Sequence, residues 1–195
     1  MRASGISSRR HYVYDGFVLE RNRYGGNSDF RQQPVVGTES NSHVWIMREF
    51  ANSEANHLGL PLPKGRVRFY RRDQDGQLEF TGENTIDHTA KDEPVKIYTG
   101  NAFDITGEHR QTQFKTNQAT FPNGSTDESF EIKLHNQKKE AATVTVVEHL
   151  YRWSNWSISQ ESDPHRQTDG RTIEYEVTVQ PGQEKVISYT AHYSW

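Results

Sequence analysis

Hydrophobic and polar residues alternate with a period of two along several stretches of the chain. Phe130, Ile132 and Leu134, for example, are separated from one another by charged residues. Successive side chains of a β-strand point to opposite faces, so this spacing predicts strands that bury one face. The same alternation covers residues 44–49, 66–72, 143–146, 172–179 and 187–195.

Turn-forming residues separate these stretches. Asp75-Gly76, the polar segment 136–140 and Pro181-Gly182 each lie between two alternating stretches. Asp, Asn, Pro and Gly favour tight turns, so we predict a hairpin at each of the three positions. Several hairpins of this length predict an all-β fold, namely a two-sheet antiparallel β-sandwich, immunoglobulin-like, with an extended N-terminal arm.

The first 41 residues differ in composition from the rest of the chain. Arg, Gly, Ser and Asn dominate there, and the one compact strand-like run is residues 12–19. We therefore predict an N-terminal arm over residues 1–41, with one short strand, and a β-sandwich domain over residues 42–195. An extended segment completes a sheet edge either in its own domain or in a neighbouring copy. If the arm strand is passed head to tail from each copy to the next, the contact does not close and a fibre forms. Both arrangements stay open, and the candidate assembly contacts are Tyr12, Tyr14, Phe17 and Leu19.

The composition excludes several kinds of partner. With 23 basic and 26 acidic residues the net charge is -3, which gives no broad positive field to attract nucleic acid. No apolar run is long enough to cross a bilayer, so we expect no membrane insertion. The absence of cysteine excludes disulfides and thiolate metal sites, and we predict no cofactor. The compartment stays open: cell surface, extracellular or periplasmic if an export signal was removed, and cytoplasmic otherwise.

Four short motifs in the middle of the chain resemble those of a known family. They are LPLPKG at residues 60–65, VRFY at 67–70, FTGE at 80–83 and GNAFD at 100–104. These motifs resemble the C-terminal region of the mucoidy inhibitor A-like proteins, which is a domain of unknown function, and the resemblance spans residues 42–195. It implies an all-β C-terminal domain and supplies no established activity or catalytic residues. A further β segment and a coiled coil usually precede this domain in the family; since this sequence carries neither, we expect either a piece of a longer protein or a shorter relative.

Three dipeptides place a carboxylate beside an imidazole: Asp87-His88, Glu108-His109 and Glu148-His149. Such pairs are used in acid–base chemistry, so a hydrolase that uses His88, His149 and their acidic neighbours is one alternative function. Neighbouring side chains of a strand point to opposite faces, however, and cannot pair with each other. We therefore favour hydrogen-bonding roles for them. The histidine spacings typical of zinc sites are absent, and we predict no metal site.

Aromatic residues cluster at positions 151–156. Flat rings exposed on a sandwich face can stack on sugars, so a second alternative is a carbohydrate-binding module with Tyr151, Trp153 and Trp156 as ligand-binding residues. The competing interpretation is that both tryptophans flank a turn and fold back on the core.

The function that the sequence favours is a non-enzymatic structural or protein-interaction β-sandwich. One form of it is a subunit that associates with copies of itself, as an oligomer or a filament, through the N-terminal arm. The expected partner is another copy of the chain or another protein.

Overall fold

The computed structural model describes residues 3–18, 31–34, 38–117 and 123–195. Every regular element in this part of the chain is a β-strand, apart from one 3-10 turn at Glu54–Asn56. The strands are β1 (Arg9–Tyr14), β2 (Phe17–Val18), β3 (Glu39–Ser40), β4 (His43–Ala51), β5 (Gly65–Arg72), β6 (Leu78–Ile86), β7 (Pro94–Asn117), β8 (Ser125–Asn136), β9 (Ala142–His149), β10 (Trp156–Glu161), β11 (His165–Gln167), β12 (Thr172–Val179) and β13 (Glu184–Ser194). The prediction of an all-β fold is confirmed. The described residues contain no helix that is long and apolar enough to span a membrane.

Nine strands share one hydrogen-bonded order, β10-β13-β8-β7-β4-β1-β9-β12-β11. Two further pairs, β2 with β3 and β5 with β6, form separate two-stranded sheets. The three predicted turns join β5 to β6, β8 to β9, and β12 to β13. The predicted hairpin is correct for β5 and β6 and wrong for the other two, because β8 pairs with β7 and β13 while β9 pairs with β12.

The chain divides into two compact units. The hairpin unit contains Met1–Tyr12 and Trp45–Ala102, and the sandwich unit contains Val13–Val44 and Phe103–Trp195. Strands β1, β4 and β7 each continue from one unit into the other. The predicted division into an arm (1–41) and a domain (42–195) stays a prediction, and strand β1 of that arm belongs to the nine-stranded order.

The sandwich unit buries the inward faces of two layers of strands. One layer contains β8 and β13, and the other contains β9 and β12. Tyr175 of β12 and Tyr189 of β13 meet between the layers, with ring centroids 5.9 Å apart. Other buried side chains at alternate positions include Phe130, Ile132, Leu134, Val144, Val146, Ile173, Val177 and Ile187. Since the two apolar faces pack against each other, the β-sandwich prediction is confirmed, while the immunoglobulin-like topology stays a prediction.

The hairpin unit has a smaller core. It is formed by Phe50, Ile86, Val95 and Ile97. Val67 and Phe69, on the inner side of the β5–β6 hairpin, pack against this core. Because neighbouring side chains of a strand point to opposite faces, Arg68, which lies between these two residues, points to the outer side of the hairpin.

The strand of the predicted arm lies inside the chain's own sheet, between β4 and β9. Tyr14 has no exposed surface, and its hydroxyl donates a hydrogen bond to the Asn41 carbonyl at 2.8 Å. Gly107 of β7 makes room for this ring, because a Cβ at that position would lie 2.2 Å from a ring carbon of Tyr14. The arm strand is therefore an integrated part of the fold.

Candidate functional site

A buried ion pair connects β8 to the segment that follows β9. Glu128 takes an inward position of β8, in phase with Phe130, and the side chains of Glu128 and Arg152 have no exposed surface. Arg152 Nε donates to Glu128 Oε2 at 2.7 Å, and Arg152 Nη2 donates to Oε1 at 2.5 Å. This two-pronged arrangement matches the fork of a guanidinium to the two oxygens of a carboxylate. Each buried charge therefore has the compensation that burial requires.

Neutral groups complete the hydrogen bonds around Glu128. The Tyr151 hydroxyl and Gln111 Nε2 donate to Glu128 Oε1 at 2.8 and 2.7 Å, and the guanidinium of Arg152 lies 4.7 Å from the ring centroid of Phe114. Burial acts to lower the pKa of Arg152, but the hydrogen bonds and charge of Glu128 raise it above its ordinary value. Burial, followed by the charge of Glu128, raises the pKa of Tyr151. The cluster thus contains a charged arginine, a neutral tyrosine and a carboxylate whose two oxygens are both hydrogen-bonded.

A second buried carboxylate, Glu148 of β9, contacts an imidazole. Glu148 Oε2 lies 3.1 Å from His109 Nε2 and accepts a hydrogen bond from the Tyr189 hydroxyl at 2.7 Å. Burial acts to lower the pKa of His109, yet the charge and hydrogen bond of Glu148 give a net upward shift. Burial and the charge of Glu148 raise the pKa of Tyr189 well above its ordinary value. The arrangement favours an imidazolium at His109 and a neutral phenol at Tyr189.

The His109–Glu148 pair has the composition of a general acid–base site but lacks access. Both side chains are 0 % exposed. Within the described part of the chain, His109 Nδ1 and Glu148 Oε1 have no hydrogen-bond partner, so the pair is less completely bonded than the Glu128 cluster. A catalytic base must reach the proton that it removes, and here the imidazole of His109 packs 4.7 Å from the ring of Phe130 and has no exposed surface.

A partly exposed histidine–aspartate pair, His149 and Asp15, lies in the same unit. His149 Nε2 is 3.1 Å from Asp15 Oδ2, and the hydrogen bond from Asp15 raises the pKa of His149 against the opposing effect of burial. The ring of Phe17 packs 5.8 Å from His149 and 4.7 Å from Tyr151. Phe17, a predicted assembly contact, thus contacts side chains of its own chain.

The residues of the hydrolase hypothesis have other local partners. Glu148 and His149 point to opposite sides of β9, as expected for neighbours on a strand. Asp87 Oδ1 accepts the backbone N–H of His88 at 3.0 Å, and His88 Nδ1 accepts the backbone N–H of Lys64 at 3.3 Å. Among the described residues there is no group of three or more His, Cys, Asp or Glu side chains placed to hold a metal ion.

The three residues of the carbohydrate hypothesis also make contacts within the chain. The Tyr151 hydroxyl is bonded to Glu128, and the Trp153 ring lies 5.0 Å from the guanidinium of Arg31. Trp156 Nε1 donates to the Gly170 carbonyl at 2.9 Å. Carbohydrate binding by these residues stays a prediction.

The remaining assembly residues face inward or lie outside the described ranges. Tyr12 is buried, and Tyr14 is fully buried. Burial is the main reason that the pKa of Tyr14 rises to about 12. Leu19 lies outside the described residues. A contact between copies through Tyr12 and Tyr14 would therefore require β1 to be exchanged between them.

Three exposed apolar side chains of the hairpin unit lie on the β5–β6 hairpin. Its outer face, defined by strand register, consists of Arg66, Arg68, Tyr70 and Arg72 of β5 and Leu78, Phe80, Glu83 and Thr85 of β6. Tyr70 and Phe80 are direct cross-strand neighbours with ring centroids 5.7 Å apart. Tyr70, Leu78 and Phe80 are 52 %, 45 % and 57 % exposed. They form a continuous apolar area bordered by arginines.

The sequence patterns do not point to Glu128 or to this outer face as a site, and they mark His109 only as part of the Glu108-His109 dipeptide. For Glu128 a signal exists, because it lies two residues before Phe130 and so in the inward phase of the alternation. For the outer face the signal is the run from Arg66 to Arg72, in which every second residue is arginine or tyrosine. The partners of Glu128 and His109 depend on sheet pairing, which alternation alone does not specify.

Comparisons with protein-family models, curated proteins and solved structures give no match to the chain. The resemblance to the mucoidy inhibitor A-like proteins therefore stays a prediction. Function has to be argued from the residues themselves.

Proposed function

We propose that this chain is a non-enzymatic structural or protein-interaction β-sandwich. The observation that carries the proposal is the apolar area of the outer face, where Tyr70, Leu78 and Phe80 lie side by side and each is at least 45 % exposed. Adjoining exposed aromatic and aliphatic side chains favour a contact surface for another protein. Tyrosine and phenylalanine contribute large contact areas with few rotatable bonds.

The state of the acid–base residues supports a non-enzymatic role. Glu128 has both oxygens engaged by Arg152, Tyr151 and Gln111. Glu148, in contact with His109, has no exposed surface. Side chains held in this way stabilise a core, since a buried charge without a partner is strongly unfavourable.

Self-association belongs to the same proposal, with the outer face as a second route besides the arm. A contact through the arm requires exchange of β1, whose Tyr14 is fully buried. A contact through Tyr70 and Phe80 requires no such rearrangement. We also propose that the chain is related to the C-terminal region of the mucoidy inhibitor A-like proteins, and the all-β architecture supports this relationship.

Site-specific photo-crosslinking in cells tests the interaction function. A photoreactive phenylalanine derivative replaces Tyr70, and a matched control replaces Glu176, an exposed residue of β12. We expect protein adducts at position 70 that are several times more abundant than at position 176. Light scattering of the purified chain then shows whether a second copy is the partner. Equal or absent adducts at both positions would contradict the proposal.

A further inference from the structure

Strand β5 has an edge that no other described strand occupies. In the described part of the chain β5 pairs only with β6. Gly65–Arg72 contains no proline, and the extra residue of the bulge in this pair, Thr81, belongs to β6. Proline and bulges are common ways of blocking an edge strand. Charged side chains also block edge strands, so the arginines of β5 leave this edge open to an added strand of opposite charge.

Positive charge predominates on the outer face along this edge. Arg66 Nη1 and Arg68 Nε share one carboxylate, Glu83, with N–O distances of 3.1 Å each. Arg72 Nη1 donates to the Gly76 carbonyl at 2.7 Å, and no described carboxylate lies within salt-bridge distance of it. Three guanidiniums thus face one carboxylate, whereas the chain as a whole has a net charge of -3.

We propose that the outer face binds an extended acidic segment of a partner protein, which adds alongside β5 as a third strand. This inference rests on the proposed interaction function and specifies its partner. Outward positions of a strand repeat every 6.6–6.8 Å or so, which gives alternate residues of an incoming strand the same spacing as Arg66 and Arg68. Guanidinium groups bind carboxylates through paired hydrogen bonds.

The order of side chains along β5 specifies the partner further. Outward positions read arginine, arginine, tyrosine, arginine from residue 66 to residue 72. The complementary face of the added strand would read acidic, acidic, apolar, acidic. The apolar residue would pack on Tyr70 and Phe80, which are adjacent across the hairpin.

Two other occupants fit this surface less well. A second copy adding through its own β5 would bring two rows of arginines together, and like charges on facing strands are destabilising. A single-stranded nucleic acid needs flat rings on which bases stack, whereas the planes of Tyr70 and Phe80 are inclined at 65°. An acidic strand with one apolar residue would pair its carboxylates with the arginines and pack its apolar side chain on the inclined rings of Tyr70 and Phe80.

Fluorescence anisotropy with the full chain tests the proposal. The probe is a labelled synthetic peptide with glutamate, glutamate, valine and glutamate at alternate positions and threonine between them, used in both sequence directions. We expect saturable binding in one direction that weakens as salt increases. The double change Arg66→Gln and Arg68→Gln should weaken binding roughly tenfold, as expected for the loss of two exposed charge contacts. The matched control is Arg71→Gln on the inner side of the hairpin, where Arg71 pairs with Glu79 at 3.3 Å, and it should change affinity by less than about twofold.

Further probes separate the alternatives. A peptide with lysine in place of glutamate, a 15-nucleotide oligothymidylate and an equally acidic peptide with proline at the threonine positions should each fail to bind. Equal binding of any of these three, equal loss in Arg71→Gln, or no binding of the glutamate peptide would overturn the inference. If the glutamate peptide fails while position 70 still gives specific crosslinks, the acidic-strand inference is wrong and the interaction function stands.

Discussion

Replacement of Arg152 by methionine tests whether the buried ion pair with Glu128 holds the sandwich unit together. The change removes both bonds to the carboxylate and the bond from Arg152 Nη1 to the Gln33 carbonyl, which is 2.9 Å long. Among the described residues, Glu128 would keep the Tyr151 and Gln111 donors. Loss of one member of a buried pair costs about 3–5 kcal/mol. Because two neutral donors remain, we expect a loss near the lower end, roughly 3 kcal/mol.

Urea unfolding followed by tryptophan fluorescence measures this loss. With an m-value of about 2 kcal/mol/M, a loss of roughly 3 kcal/mol lowers the midpoint by about 1.5 M. The matched control is Arg166→Met, which removes another 2.5 Å arginine–glutamate contact, to Glu174, but from a side chain that is 75 % exposed. That control should cost less than about 1 kcal/mol.

A second variant makes the test more specific. Changing Glu128 to glutamine together with Arg152→Met removes the uncompensated charge, so part of the lost stability should return. Equal midpoints for Arg152→Met and Arg166→Met, or a double variant less stable than Arg152→Met, would refute the assignment of the pair as a buried structural contact.

Two further predictions concern the arm. Gly107→Ala should destabilise the protein by about 1–3 kcal/mol through overpacking, because the added Cβ would lie 2.2 Å from the buried Tyr14 ring. The control Gly170→Ala, whose added Cβ would have no atom within 4 Å, should have little effect. Similar urea midpoints for the two variants would show that β1 does not pack beside Gly107. His149→Asn should lower the free energy of unfolding more at pH 5.5 than at pH 9, by at most about 1 kcal/mol. The reason is that Asp15 raises the pKa of His149 in the folded protein. The stabilisation from this contact is therefore complete below the unfolded-state pKa of His149 and disappears as pH rises through its folded-state pKa. A difference between the two proteins that does not vary with pH would contradict the Asp15–His149 contact.

The positions of the strands could be predicted from the sequence, whereas their partners could not. Alternation at Phe130, Ile132 and Leu134 identifies the inward face of β8 whatever strand lies beside it. The polar segment after β8 has the composition of a hairpin turn, but the chain passes there from one layer of the sandwich to the other. Of the three predicted turns, only the one at Asp75-Gly76 joins two strands that pair with each other. Turn composition therefore predicts a change of direction and does not predict which strands pair.

For the buried charged residues too, the sequence predicts burial but not the partner. The phase of alternation places Glu128 with Phe130 and Glu148 with Val146, so their burial was predictable. Their partners were not, because Arg152 is 24 residues from Glu128 and His109 is 39 residues from Glu148. These contacts arise only once the layers have packed. The dipeptide Glu148-His149 suggested a pair in the sequence, and the fold directs its two side chains to different partners.

The distribution of charged and apolar side chains argues for a division of roles between the two units. In the sandwich unit, Glu128 and Arg152 are withdrawn from solvent and bonded to each other. Removal of either partner is expected to destabilise the core. In the hairpin unit, Tyr70 and Phe80 are exposed to solvent beside arginines, and burying them against a partner would gain about 25 cal/mol for each Å² of apolar surface removed from water. Variants of the buried pair should therefore lower stability, whereas variants of the outer face should lower binding with little change in the urea midpoint.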